Sequence, residues 1–272
     1  MTILITGGTG KTGRRVAQLL TGLGHPVRAV SRHSDPAFDW YDERTWPGAI
    51  GGTQSAYVTF QPDIGLPGAD EIIGRFARTA VAAGCHRLVL LSGRGEEAAR
   101  RAERALADSG ADWTVLRSAF FMQNFTESFF AEELAGGSLT MVEHSVGEPF
   151  VDADDLAEVA VSVLRDPSHT GRTYELTGPS LLTFEQVAAE IGVASGRDVA
   201  YHACSVDDYV AELVRAGFPE EDAAGLGHLF HEVLDGRNAH VDTGVRSVLG
   251  REPRTFQEFL ESSPLGAAAV RG

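Results

Sequence analysis

Residues 2–13, with the sequence TILITGGTGKTG, contain the pattern that decides the fold. Residues 2–6 form a short apolar run that predicts a buried strand, and glycines follow at positions 7, 10 and 13. Residues 14–23 then carry apolar side chains at helical spacing and end before Gly24. A glycine turn between a strand and a helix lets the backbone approach a pyrophosphate, and the helix start stabilises its charge. The segment therefore predicts a dinucleotide-binding turn formed by Gly7, Gly10 and Gly13.

Further along the chain, short β-branched runs alternate with helical periodicity, which is typical of strand–helix–strand units. Strands are predicted at residues 2–6, 27–30, 38–40, 56–60, 87–92, 113–117 and 174–177. Helices are predicted at 14–23, 69–83, 96–109 and 125–135, and from Asp154 or Asp155 to Leu164. Strands that are joined through helices run parallel. The sequence therefore predicts an α/β fold with a Rossmann-type, doubly wound parallel sheet.

The C-terminal part of the chain has a different pattern. Amphipathic helices are predicted at 183–191, 207–216 and 220–235, with no regular alternation with strands. We therefore expect two domains. The first is a nucleotide-binding domain at 1–150, to which residues 151–178 return, and the second is a small, mostly helical substrate-binding lobe at 179–272.

Composition limits the partners of this protein. The 272 residues include 23 basic and 38 acidic side chains, for a formal net charge of −15, which repels nucleic acid and acidic lipid. The apolar runs are strand-sized and no signal peptide precedes the first strand, which favours a cytoplasmic protein without a membrane segment. Two cysteines, Cys85 and Cys204, are too few for a disulfide framework. We expect a small-molecule substrate, no metal ion, and a monomer or a homodimer.

The end of the second predicted strand indicates which cofactor is bound. An acidic residue at this place binds the ribose 2′-hydroxyl of NAD, but this chain has Ser31 and Arg32. A guanidinium with a neighbouring hydroxyl suits the 2′-phosphate of NADP, so the sequence favours NADP over NAD. The alternative is an arginine that merely faces solvent. The residues predicted to contact the cofactor are Gly7, Gly8, Thr9, Gly10, Lys11, Thr12, Gly13, Ser31, Arg32, Phe60 and Ser92.

Five stretches of the chain resemble the NmrA-like group of atypical short-chain dehydrogenases. They are GGTGKTG at 7–13, RLVLLSG at 87–93, WTVLRSAFFMQNF at 113–125, PFVDADDLAEVAVSVL at 149–164 and YELTGPSLLTFEQVA at 174–188. Within the group, TILITGGTGKTG, FDW followed by TW, and HRLVLLS are most similar to ergot-alkaloid reductases of the festuclavine synthase or agroclavine dehydrogenase type. The resemblance implies an NADPH-dependent reduction of a small, natural-product-like acceptor, in that type at an iminium carbon.

The resemblance also implies where the acceptor binds. It places the walls of the acceptor site at Phe120, Phe121 and Asn124, where aromatic rings would stack on a flat acceptor or exclude water. Consecutive residues of an extended segment point to opposite sides, so one of the two phenylalanines belongs to the core. We expect Phe120 to face the acceptor.

Ordinary short-chain dehydrogenases use a tyrosine and a lysine four residues apart, because the lysine lowers the pKa of the tyrosine that protonates a carbonyl oxygen. Lys11 is the only lysine among the 23 basic residues, so this pair is absent. The charged residues from Arg94 to Glu103 are expected to form a solvated helix face. Hydride addition to a C=N⁺ cation gives a neutral amine directly, so an iminium or imine acceptor fits best.

No residue is assigned as catalytic at this point. A carbonyl or enone acceptor would need a proton donor, for which Ser92 and His144 are weak candidates. A quinone or enone reductase is therefore the first alternative function. A non-catalytic, NADP-sensing regulatory protein is the second, because the missing tyrosine–lysine pair is consistent with it too.

Overall fold

The computed structural model describes residues 2–266. These residues form two compact units, of which the first comprises 2–118, 153–176 and 243–252. The second comprises 119–152, 177–242 and 253–266. No helix within 2–266 is long and apolar enough to cross a membrane.

The elements are numbered along the chain. The strands are β1 (Thr2–Ile5), β2 (Val27–Ala29), β3 (Thr53–Val58), β4 (Arg87–Gly93), β5 (Asp112–Ser118), β6 (Ser138–Val142), β7 (Arg172–Leu176) and β8 (Ala200–Cys204). The helices are α1 (Lys11–Gly22), α2 (Trp46–Ile50), α3 (Ala69–Ala82), α4 (Glu97–Ala107), α5 (Asn124–Glu127), α6 (Phe129–Ala135), α7 (Ala153–Arg165), α8 (Phe184–Ser195), α9 (Val206–Arg215), α10 (Glu220–Val233), α11 (Gly244–Leu249) and α12 (Phe256–Ser262).

The first unit is built on a six-stranded sheet in the order β2-β1-β3-β4-β5-β7. Every neighbouring pair is parallel, and Leu4 of β1 pairs with Arg28 on one side and Ala56 on the other. Parallel sheets of this kind are covered by helices on both faces, which explains why the central strands are apolar throughout. The predicted parallel α/β sheet is confirmed.

Alternate strand residues pack on opposite faces of this sheet. Leu4, Ala56 and Leu88 belong to a core cluster that also contains buried residues of α3 and α4, including Phe76 and Leu106. The intervening strand residues are buried as well, and the helices α1 and α7 pack against each other. Because side chains alternate along a strand, one half of the apolar strand residues packs against the helices on one face of the sheet and the other half against those on the opposite face.

The predicted strand at 38–40 is wrong. Asp39 forms only an isolated bridge with Asp42, while Phe38 and Trp40 are buried in the core of the first unit. The indole Nε1 of Trp40 donates to the carbonyl oxygen of Thr59 at 3.0 Å. Aromatic packing and this hydrogen bond, and not the main-chain hydrogen bonds of a sheet, fix the position of the segment. The sixth strand of the sheet is β7.

The second unit is mostly helical, as expected, but it contains a small sheet that was not predicted. Strands β6 and β8 pair in parallel, with Leu139 opposite Tyr201. β8 (AYHAC) is mostly exposed, so its sequence lacks the apolar run that marked the strands of the main sheet. The core of this unit is rich in phenylalanine, with Phe125, Phe130 and Phe184 fully buried.

The two units differ from the predicted domains in two longer segments and at residues 177–178, which belong to the second unit. Residues 119–152 belong to the second unit and residues 243–252 to the first. In the second case, the Arg251 guanidinium contacts Asp155 and Glu158 of α7 at 2.6 Å, and the Asp155 side chain is fully buried. Gly244 also packs so closely on the Glu175 carbonyl oxygen of β7 that a Cβ would overlap it. Long-range contacts of this kind have no local signal in the sequence.

Candidate functional site

The glycine turn joins β1 to α1 through close main-chain contacts. Gly7 has a positive φ of 61°, and the N–H of Gly10 donates to its carbonyl oxygen at 2.8 Å. A Cβ on Gly13 would overlap the same Gly7 carbonyl, and a Cβ on Gly8 would lie 2.7 Å from the Cβ of Ala29. Three of the predicted glycines are therefore required by space, and Gly10 caps α1 through its backbone. A backbone so bare of side chains can approach a phosphate group closely.

A pair of buried threonines fixes this turn to β3. The N–H of Thr59 donates to Thr6 Oγ1 at 2.8 Å, and Thr59 Oγ1 donates to the Thr6 carbonyl oxygen at 3.0 Å. Thr59 Oγ1 also occupies the space that a Cβ on Gly7 would need. The carboxyl ends of β1 and β3 are thus held together where the glycine turn begins.

A cavity of about 460 Å³ opens beside this turn in the first unit. Its volume lies within the range of small-molecule sites. The Arg32 side chain lines it, is exposed, and makes no hydrogen bond or ion pair with any described residue. The cavity is lined by Gly7, Ser31, Arg32, Phe38, Asp39, Trp40, Tyr41, Gln61 and Pro62. An unpaired guanidinium beside a glycine turn forms an environment that suits a phosphorylated ligand.

Sequence reasoning missed the part of this cavity that residues 39–41 and 61–62 contribute. The segment FDWYDERTW at 38–46 has no strand or helix period, so periodicity gave no signal. Its unusual density of aromatic residues after β2 was the available clue. Phe60 is 7% exposed and packs on Trp40 with ring centroids 5.1 Å apart, and its predicted contact with the cofactor stays a prediction.

Ser92, near the end of β4, is part of a buried charged network. Its hydroxyl donates to Glu103 Oε1 at 2.6 Å, and the residue is 2% exposed. Arg117 of β5 donates to both Glu103 oxygens, at 2.6 Å for the shortest contact. Glu175 of β7 accepts from Arg117 at 3.1 Å and from Arg94 at 2.7 Å. Two arginines and two glutamates balance in charge, and their many hydrogen bonds offset the desolvation of the buried ions.

This network corrects the expectation of a solvated helix face from Arg94 to Glu103. Glu97 and Arg101 are exposed, but the Arg94 side chain is 1% exposed and Glu103 is buried. Glu103 lies on the same stripe of α4 as the buried Ala99, Ala102 and Leu106. Its position on an apolar stripe was the sequence signal for a buried carboxylate.

The network lowers the pKa of one carboxyl group. Burial by itself would raise the pKa of Glu175, but the hydrogen bonds from Arg94 and Arg117 outweigh burial and hold this pKa below its usual range.

In the second unit, burial lowers the pKa of His144, whose ring lies edge-on to Phe184 with centroids 5.2 Å apart. Burial therefore favours the neutral form of the His144 imidazole.

The structure separates the roles of the two phenylalanines at 120 and 121. The Phe120 ring packs against five other rings, those of Phe125, Phe130, Phe150, Phe184 and Phe230, at centroid distances of 5.4–6.2 Å. Phe121 is half-buried and forms a backbone bridge with Val151, and its ring contacts no other ring among the described residues. Asn124 begins α5 and is half-buried. Phe121 and Asn124 are thus the freer side chains of the three.

The parallel sheet and the glycine turn define an α/β protein of the Rossmann type. The chain belongs to the NmrA-like family, whose model matches residues 100–260. Agroclavine dehydrogenase of Claviceps fusiformis is 32% identical, over 97% of this chain and 97% of that protein.

Two solved structures share the fold. The triphenylmethane reductase of Citrobacter sp., complexed with NADP(H), has a TM-score of 0.81 at 19% identity and covers 96% of this chain and 99% of its own. An NADPH-dependent quinone oxidoreductase of Escherichia coli, complexed with NADPH, has a TM-score of 0.81 at 23% identity, with coverage of 96% and 99%.

The close packing of Gly13 predicts a large effect of one methyl group. Gly13→Ala is expected to lower the free energy of unfolding by about 2–3 kcal/mol, because the new Cβ must displace the Gly7 carbonyl. Gly22→Ala is the control, since Gly22 ends the same helix and its Cβ would meet nothing within 4 Å. Urea unfolding followed by circular dichroism compares the two, and equal stabilities would contradict the contact.

The depressed pKa of Glu175 predicts a pH-dependent contribution to stability. Glu175→Gln is expected to lower the free energy of unfolding by about 1–2 kcal/mol at pH 7. A carboxyl group whose pKa is lower in the folded than in the unfolded protein stabilises the fold at pH values above its unfolded pKa of about 4.5. This stabilisation is lost as the pH falls through the folded-state pKa. The gap between wild type and variant should therefore narrow in urea titrations from pH 5.5 to 4. Glu71→Gln, at a side chain 78% exposed, should show no gap at either pH.

Proposed function

We propose that this protein is an NADPH-dependent reductase that transfers a hydride to an electrophilic carbon of a small organic acceptor. The observation that carries the proposal is the unpaired Arg32 guanidinium on the cavity that begins at the glycine turn. The names of three related proteins support it. They are a dehydrogenase, a reductase complexed with NADP(H) and an oxidoreductase complexed with NADPH.

The residues present fit a phosphorylated dinucleotide. Gly7, Gly10 and Gly13 offer main chain without side chains at the start of α1, and a helix start favours negative charge. Arg32 and Ser31 would hold the 2′-phosphate, because a free guanidinium forms charge-assisted hydrogen bonds with phosphate oxygens. NAD, the alternative, would leave this arginine without a partner.

The acceptor that we propose is the carbon of an iminium cation, which an imine becomes once its nitrogen is protonated before hydride transfer. Bound NADPH would supply the hydride. A new C–H bond forms, the electron pair of the C=N⁺ bond moves to nitrogen, and the product is a neutral amine, so no protein group needs to give up a proton.

The candidate acids of this chain agree with that chemistry. The Ser92 hydroxyl already donates to Glu103, and burial lowers the pKa of His144, which disfavours the protonated imidazole that a proton donor would need. Lys11, the only lysine, begins the helix after the glycine turn and is not paired with a tyrosine four residues before it. Binding, orientation and the exclusion of water would then supply most of the catalysis.

The acceptor contacts that we propose are Phe121 and Asn124. Phe120 is enclosed by five rings and so supports the aromatic core of the second unit. The Phe121 ring contacts no other ring within residues 2–266, which suits stacking on a planar cation.

The assignment of Arg32 predicts cofactor preference. Arg32→Glu should weaken NADPH binding by about 10- to 100-fold and leave NADH binding nearly unchanged, because only NADPH carries the 2′-phosphate. Arg215→Glu makes the same charge change on a side chain 71% exposed in the second unit and should affect neither cofactor. Isothermal titration measures both affinities, and equal losses of NADPH and NADH binding would reject this role.

The iminium proposal predicts an order of acceptors. The protein should oxidise NADPH faster with a cyclic iminium cation than with a quinone or an enone of similar size. With deuterium-labelled NADPH, the label should appear on the carbon of the reduced C–N bond. Faster turnover of the quinone or enone would make this a reductase of neutral acceptors. Tight NADPH binding without oxidation by any acceptor would identify a regulatory protein instead.

A further inference from the structure

The aromatic side chain of Tyr41 lines the same cavity as Arg32, and the proposed contacts with NADPH do not include it. It is 66% exposed, among the most exposed large hydrophobic side chains of the chain. We propose that Tyr41 is the stacking surface for the adenine ring of the cofactor. This inference rests on the proposed NADPH binding and adds a residue that recognises the base.

The backbone that carries Tyr41 is fixed on both sides. The N–H of Tyr41 donates to Asp39 Oδ1 at 2.9 Å, and the N–H of Asp39 donates to Thr45 Oγ1 at 3.0 Å. The indole of Trp46 donates to the Asp39 carbonyl oxygen at 2.9 Å. An exposed aromatic side chain on such a fixed segment loses little conformational freedom on binding a ligand.

The Tyr41 ring also contacts an aromatic ring of the protein. It contacts Phe60 with ring centroids 6.2 Å apart and an interplanar angle of 66°. Phe60 in turn packs on the buried Trp40, so the contact reaches the core of the first unit. One edge of the Tyr41 ring is thus held while most of the side chain remains accessible.

The chemistry of the cavity favours a purine nucleotide. Adenine has a flat π face that stacks on aromatic rings, and the phosphate at the 2′-position would lie with Arg32. A protein partner would need a contiguous apolar patch around Tyr41, but its neighbours Asp42, Glu43 and Arg44 are charged. One exposed aromatic ring together with the Arg32 guanidinium matches one adenosine 2′-phosphate group.

Adenosine 2′,5′-bisphosphate tests this inference, because it has the base and the 2′-phosphate but no nicotinamide. Tyr41→Ala should weaken its binding about 5- to 100-fold in isothermal titration, the range found when a base loses an aromatic partner. Tyr41→Phe keeps the ring and should bind within about twofold of wild type, because the hydroxyl takes no part in stacking. Tyr41→Leu, of comparable apolar character but without a π face, should resemble the alanine variant.

The outcomes separate this inference from the proposed function. If wild type binds both NADPH and the bisphosphate and Tyr41→Ala binds them equally well, the stacking role is overturned while NADPH binding stands. If Tyr41→Phe loses as much affinity as Tyr41→Ala, the hydroxyl and not the ring is responsible, which also overturns it. If the wild type binds neither ligand, both proposals fail.

Discussion

The approach of Gly13 to the Gly7 carbonyl oxygen is the contact on which the rest of the structure depends. It sets how α1 leaves β1: a Cβ on Gly13 would force this backbone apart, and a Cβ on Gly7 would collide with Thr59 Oγ1. The same turn is tied to β3 by the reciprocal hydrogen bonds of Thr6 and Thr59. Thr59 then accepts from Trp40, so one steric requirement extends from the glycine turn to the aromatic segment beside the cavity.

The first unit treats its charges in two ways. Arg94 and Arg117 are neutralised by Glu103 and Glu175 where β4, β5 and β7 end, and they leave little charge for a ligand. Arg32, in contrast, is exposed beside a cavity and unpaired among the described residues. A protein with a net charge of −15 thus keeps an exposed guanidinium at this cavity, a group with which an anionic cofactor can pair.

Local patterns in the sequence were enough to predict the glycine turn, the parallel sheet and most of its helices, because glycine spacing and apolar periodicity act over a few residues. The segment at 38–46 escaped prediction because tertiary contacts of Trp40 and Trp46 determine its path. Glu103 was predicted to face solvent because it is charged, although its spacing places it on the buried stripe of α4. The predictions for cofactor and acceptor contacts remain proposals, that for Phe120 included, whose ring packs among other phenylalanines.

The ion pairs of Arg251 limit how the two units of this chain can be exchanged in evolution. Its ion pairs with Asp155 and Glu158 return residues 243–252 to the unit of the large sheet, although the chain before and after them belongs to the other unit. No single cut releases either unit whole, and recombination cannot exchange one for a foreign module at one junction. Either unit can therefore be replaced only by joining several separate stretches of the chain at once.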